Sequence, residues 1–140
     1  MSEELKPESY FDHDADIGII GRGKTLEESF EDAAYAMFAL MSDLSLVKET
    51  QTWHFEFEED DIELAFVTWL NLLLALSNAS ESIFSRFEIK KSGSHWQGHA
   101  WGEAWREDLI RGIDVKGATL SMLSVKQENG IWQAQCIVDV

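Results

Sequence analysis

Cysteine is almost missing from this chain. Cys136 is the only one in 140 residues, so no intramolecular disulfide can form, and a reducing compartment fits. Proline is equally scarce, with Pro7 alone, and no linker, repeat or low-complexity tract interrupts the chain. Positive charge is the third shortage. Eleven Lys and Arg face 26 Asp and Glu, a formal charge of −15. Such a chain repels nucleic acid and anionic membrane, and neither is expected as a partner. The same charge suits cations, a basic patch on a protein partner, or solubility alone. The opening "MSEELKPESY" lacks the basic-then-apolar order of a signal peptide. The most apolar run, "LAFVTWLNLLLAL" from Leu64 to Leu76, falls short of the ~20 residues that span a bilayer. It reads as a buried helix, and the expectation is a soluble, cytoplasmic protein.

What is present suits one core. Hydrophobic residues make up 45% of the chain, enough to rule out disorder and to fill a single domain at residues 10–140. Residues 1–9 read as a loose, acidic lead-in. An acidic, turn-like cluster and then a short strand, "IGII", occupy Tyr10 to Arg22. "TLEE" predicts a capping box, with Thr25 accepting from the Glu28 amide and the Glu28 side chain reaching back. Leu26, Phe30, Ala33, Ala34, Met37 and Met41 recur at helical spacing and predict a helix ending near Ser42–Asp43. "TWHFEFEE" alternates strictly, as a half-buried strand does. "DDIE" starts a second helix, to about Leu76, apolar nearly all round and so covered on several sides. "SNASES" reads as a loop.

The second half reads as strands. "IFSRFEIKKSG" and "SHWQGHAWGEAWRE" predict a hairpin around Lys91–Ser94. Trp96, Gly98, Ala100, Gly102 and Ala104 share one face, and the small residues invite close packing. A short strand around "IDVKG" follows, then "ATLSMLSVKQ". Asn129-Gly130 is the favoured two-residue hairpin turn. In the last strand Trp132, Ala134, Cys136 and Val138 point one way; Gln133, Gln135 and Asp139 point the other. The fold class is α+β, with two helices packed on a largely antiparallel or mixed sheet.

Two short motifs compete for the N-terminal region. "GIIGRGKT", Gly18 to Thr25, fits the phosphate-cradling P-loop pattern G-x-x-x-x-G-K-[ST]. Ile19 and Ile20 sit inside the supposed loop, however, and Thr25 has a simpler duty as a cap. The better reading is a strand, a glycine-containing turn and a capped helix. "DHDADIG" starts like a calcium loop, with Asp12, Asp14 and Asp16 at the first ligand positions. Ile17 stands where that loop needs Gly, and Gly23 where it needs a bidentate Glu, so an EF-hand fails. What remains is three carboxylates and His13 within five residues: a cation site or a solvated turn. His13, His54, His95 and His99 lack zinc-site spacing.

Several segments together resemble one family, archease. "DHDADIGI" resembles its D-H-T-A-D-I/V signature. "GKTLEESFEDAAYAMFALMSDLSLV" is similar to the G-x-T-L-E-E-A-F-E helix that follows. "FVTWLNLLLAL" is similar to W-L-N-E-L-L-Y-L, "GEAW" to a G-E element, and "IDVKGATLSMLSV" to E-V-K-A-I-T-Y-x-x-(L/M)-x-V. "IWQAQCIVDV" resembles a closing strand ending in Asp plus one apolar residue. The resemblance runs from about Tyr10 to Val140. It implies an accessory factor, not itself an enzyme, for an RtcB-type RNA ligase of tRNA splicing and RNA repair. Such a factor speeds ligase guanylylation and turnover. It also implies a divalent-cation site, calcium with magnesium or manganese as alternatives, on Asp16, Asp139 and a main-chain oxygen of Val140. Lys116 maps to the lysine of the V-K strand as an activity-linked residue, and His13 and Asp14 lie in the signature. Asp14 stands where the family has Thr, Leu72 where it has an acid, Leu120 for Tyr and Ser121 for a frequent His. A self-sufficient metal-dependent enzyme and a P-loop nucleotide binder are the alternatives.

Overall fold

The computed structural model describes residues 5–140. Among them, the chain forms β1 (Tyr10–His13), β2 (Asp16–Gly23), α1 (Leu26–Ala39), β3 (Gln51–Glu58), α2 (Ile62–Ser80), β4 (Ser82–Ser92) and β5 (His95–Ala104). The order closes with β6 (Gly117–Ala118), β7 (Ser124–Glu128) and β8 (Ile131–Asp139). The strands divide into two sheets. One is ordered β1-β2-β8-β6, with β7 also on β8; the other is β3-β5-β4. All pairings among the described residues are antiparallel. The fold is therefore α+β, two helices on antiparallel sheets, with the expected single sheet split in two. Of the lead-in expected at residues 1–9, residues 1–4 lie outside the described residues. Pro7–Ser9 form a 3-10 turn with Ser9 buried.

Period-two patterning explains the strand faces. Ala134, Cys136 and Val138 are fully buried on one face of β8, while Asp139 is exposed. Burial pushes the Cys136 thiol up to about 12, so it stays a protonated core side chain. On β3, Trp53, Phe55 and Phe57 are half-buried and their neighbours exposed. The small face of β5 has the predicted use. A Cβ on Gly98 would lie 2.5 Å from the Phe55 ring and 2.8 Å from Trp69, so both aromatics rest on bare backbone. Trp69 Nε1 donates to the Phe30 carbonyl at 2.9 Å, giving a fully buried indole the partner it needs. By length and composition alone α2 is apolar enough to cross a membrane. Here Ala65, Phe66, Trp69, Leu70 and Leu73 bury completely, and α2 is the core helix.

Element ends differ from expectation for local reasons. Thr25 Oγ1 accepts from the Glu28 amide at 3.0 Å, as the capping box requires, but Glu28 reaches back to Lys24 N rather than Thr25 N. Helix α1 stops at Ala39, before Ser42–Asp43. The Leu40 and Met41 carbonyls instead accept from Ile113 N and Gly112 N, each at 2.8 Å. That pairing holds residues 105–116 as an irregular strap, so "IDVKG" yields only Gly117–Ala118 as strand. Helix α2 runs through most of "SNASES" to Ser80. Ser80 Oγ donates to the Leu76 carbonyl at 2.7 Å, keeping the serine compatible with helix, and Glu81 at φ 51 ends it.

The glycines of "GIIGRGKT" are not turn residues. β2 continues to Gly23, and a Cβ on Gly21 would lie 2.2 Å from the Ser29 carbonyl oxygen and 2.4 Å from Ala33 N. α1 thus lies directly on the strand backbone. Gly21→Ala should lower stability by about 2–3 kcal/mol, because the obstacle is helix backbone that cannot swing aside. Chemical denaturation checks this, and an unchanged midpoint would contradict the close approach.

On the outer face of the β3-β5-β4 sheet His95 sits between two carboxylates. Its Nε2 meets Glu56 Oε1 at 2.6 Å and its Nδ1 meets Glu58 Oε1. Hydrogen bonds to Glu58 and then Glu56 raise His95 above its ordinary 6.5. The bond to His95 lowers both carboxylates below 4.5. A raised histidine contributes stability below 6.5 and loses it as pH rises through the raised value. Lowered carboxylates contribute above 4.5 and lose it as pH falls through theirs. The clamp is therefore strongest between about pH 4.5 and 6.5. Wild type should exceed His95→Gln in melting temperature most in that window, with the gap shrinking toward pH 9 or so. A gap independent of pH would contradict the clamp.

Candidate metal centre

Asp16 opens β2 and Asp139 closes β8. The β2–β8 ladder ends at the pair Ile17 with Val138, and Asp16 and Asp139 are the next residues beyond that last pair. Ile17 and Val138 pack on the core, and strand alternation turns the two aspartates to the opposite face. Asp16 is half-buried there and Asp139 exposed. Two carboxylates at neighbouring strand ends repel unless a cation or donors offset them. Val140 N approaches Asp16 Oδ1 at 3.4 Å, across 124 positions of sequence.

The neighbouring strands complete the edge. Gly117 of β6 pairs with Asp139, and Lys116 N donates to the Asp139 carbonyl at 2.8 Å. Lys116 joins through its backbone, while its side chain is exposed. On the other side β1 and β2 form a hairpin whose last pair is His13 with Asp16. Of the acidic, turn-like cluster expected within Tyr10–Arg22, residues 10–13 are a strand and only Asp14 and Ala15 form the turn. Asp14 takes the turn at φ 52, a region Asp tolerates better than most residues. Its side chain is 92% exposed, 3.9 Å from His13 Nδ1, an exposed ion pair of little energetic weight. The fold therefore gathers Asp16, Asp139, Val140 and the Lys116 backbone, with His13 beside them and Asp14 at the tip.

The donor set is chemically specific. Among the described residues no group of three or more His, Cys, Asp or Glu side chains is placed to hold a metal. The edge offers two carboxylates and the Val140 main-chain oxygen. An all-oxygen set suits a hard cation such as calcium or magnesium rather than zinc. It supplies fewer than the six to eight oxygens calcium takes, leaving positions for water or a partner.

The P-loop alternative fails on geometry. Gly18, Gly21 and Gly23 pair with Ile137, Ala134 and Trp132 of β8, so the supposed phosphate loop is the centre of a sheet. Lys24 N is bonded to Glu28, and the β–α parallel arrangement that motif needs has no counterpart among these antiparallel ladders.

Two features escaped the sequence reading. Glu103, of "GEAW", is a buried carboxylate. It accepts from Lys48 N at 2.6 Å and from Arg106 Nε at 2.9 Å, and the bond to Arg106 holds it below the ordinary carboxylate range. Its Glu-x-x-Arg spacing was the available signal. The second is the knuckle between β6 and β7. Thr119 N bonds the Ile137 carbonyl and Ile137 N bonds the Ser121 carbonyl, at 2.9 and 3.0 Å. This pins the loop to β8 and leaves Leu120 and Met122 62% and 56% exposed, close along β8 to Asp139.

The model of the Archease protein family (MTH1598/TM1083) matches residues 9–140. Protein archease of Methanothermobacter thermautotrophicus is 35% identical over 140 residues, covering 97% of this chain and all of that one. Protein archease of Sulfolobus acidocaldarius is 32% identical over 134 residues, covering 94% and 96%. The solution structure of Methanobacterium thermoautotrophicum protein 1598 superposes with a TM-score of 0.81 at 34% identity, covering 94% and 97%. A crystal structure of an archease, possible chaperone, from Thermotoga maritima shares the fold, with a TM-score of 0.65 at 18% identity over the full length of both chains. A family model matching residues 9–140 and near full-length relatives at 35% and 32% identity show that this chain belongs to the archease family.

Proposed function

We propose that the chain is an accessory factor of an RtcB-type RNA ligase, promoting guanylylation and turnover of the ligase through a divalent-cation site at Asp16, Asp139 and Val140. The observation that supports this reading is the approach of Val140 N to Asp16 Oδ1 at 3.4 Å, just beyond the last β2–β8 pair, which brings the end of the chain to the start of β2. Carboxylates gathered at one edge repel unless a cation offsets them, which suits a cation-binding role. The bound cation would offset that repulsion and present positive charge at the edge.

The chain's own residues do the rest. Asp16 and Asp139 would hold the ion with the Val140 main-chain oxygen, calcium first, with magnesium or manganese as alternatives. The Lys116 amide fixes the end of β8 by its bond to the Asp139 carbonyl, and its exposed ammonium is free to meet a nucleotide phosphate or an acidic partner group. The net charge of −15 would steer this edge toward a basic site on a protein rather than toward RNA. Leu120 and Met122 add exposed apolar surface nearby, the composition of a protein contact. The description "possible chaperone" of the Thermotoga relative is compatible with such help to a partner.

In a ligase self-guanylylation assay, Asp16→Ala and Asp139→Ala should each abolish most of the stimulation while keeping the fold. Full stimulation by both folded variants would end the proposal. Turnover of a substrate by the isolated protein would favour the stand-alone enzyme instead. The repulsion gives a second test. Without added cation Asp139→Asn should be more stable than wild type by up to about 1 kcal/mol. With calcium at about 100 times its dissociation constant wild type should gain about 2.7 kcal/mol and the variant far less. Equal calcium effects on the two melting curves would remove the site.

A further inference from the structure

The outer face of the β3-β5-β4 sheet lies apart from the acidic edge, on a different sheet. His54 on β3 and His99 on β5 are directly opposed partners in the ladder. Their rings face each other with centroids 6.0 Å apart and planes tilted by 34°. His99 Nδ1 is buried and has no hydrogen-bond partner in the protein. A polar atom removed from water normally has a partner, and a neutral imidazole nitrogen is also a good metal donor. We infer that His54 and His99 form a two-imidazole site for a borderline divalent transition-metal ion, of the zinc, nickel or copper class.

The geometry supports this. An ion bound to two imidazoles at metal–nitrogen distances of about 2.0–2.1 Å holds ring centroids about 5–6 Å apart. The observed separation of 6.0 Å lies at the upper end of that range, and His54 is exposed. Coordination through Nδ1 gives His99 the partner it lacks. The surroundings carry the right charge. Glu88 on β4 is the ladder partner of His99 on its other side, and Glu56 stands two residues from His54 on the same face of β3. No third His, Cys, Asp or Glu side chain converges on the pair among the described residues, so water completes the shell. Nitrogen donors separate this site from the all-oxygen edge at Asp16 and Asp139. The only thiol, Cys136, is buried and does not compete.

Copper(II) and nickel(II) are the probes, with the full chain. Copper at one equivalent should give an electron paramagnetic resonance spectrum with coupling to two imidazole nitrogens. Calorimetric titration with nickel should show one site. His54→Ala and His99→Gln should each weaken nickel binding about tenfold or more, since a single imidazole cannot chelate, and reduce the copper coupling to one nitrogen. His95→Gln and Asp139→Ala should leave both readouts unchanged. His54 is exposed and His99 half-buried on the outer face of the sheet, and circular dichroism confirms that the variants fold. A wild-type spectrum without two-nitrogen coupling, no nickel binding, or nickel binding as tight as wild type in the His54→Ala or His99→Gln protein would overturn the site.

Discussion

The antiparallel ladder between β2 and β8 is the contact on which the molecule depends. It joins the first quarter of the chain to its end, over pairs running from Ile17–Val138 to Gly23–Trp132. Its inner face supplies Ile19, Ala134, Cys136 and Val138 to the core. α1 rests on the bare backbone of Gly21. Asp16 and Asp139 stand just beyond the last pair of the same ladder. One register therefore sets core packing and helix position together, and a shift of one residue would turn every side chain of β8 to the wrong face.

The second sheet serves packing from the other side. Gly98 lets Phe55 and Trp69 approach the β5 backbone, and Phe30 stacks on Trp96 with ring centroids 5.3 Å apart. α1 and α2 thus meet the same aromatic layer. Glu103 ties the end of β5 to the loop after α1 through Lys48 N and Arg106. A buried carboxylate in this position is stable because each oxygen has a donor. The strap at residues 105–116 owes its irregular path to the carbonyls of Leu40 and Met41, which it caps.

Much of this was legible in the sequence. Strict alternation in "TWHFEFEE" and "WQAQCIVDV", the Thr25 cap and the Asn129-Gly130 turn are local signals, and each strand or helix formed where they pointed. The assignment of Asp16 and Asp139 to one site came from resemblance, because spacing cannot show that residues at opposite ends of a chain meet. Element ends were misread where tertiary bonds intervened. Ser80 at the end of α2 bonds back to the Leu76 carbonyl, and the Leu40 and Met41 carbonyls just past α1 go to the strap. The glycines after Asp16 read as a turn because a helix lying on a strand leaves no mark but the missing side chain. The opposition of His54 and His99 was invisible for the same reason as the aspartate pair.

The bond from Val140 N to Asp16 closes a circuit almost as long as the chain. Bringing such distant segments together is among the last and slowest steps of folding, since the loop entropy must be met before the contact forms. A ligand bridging Asp16 and Asp139 would therefore recognise only molecules whose terminal strand had docked. It would act as a reversible clasp on the completed domain, opposing global unfolding rather than the fraying of one hairpin. Occupancy of that clasp would report in a single signal that both ends of the protein are in place.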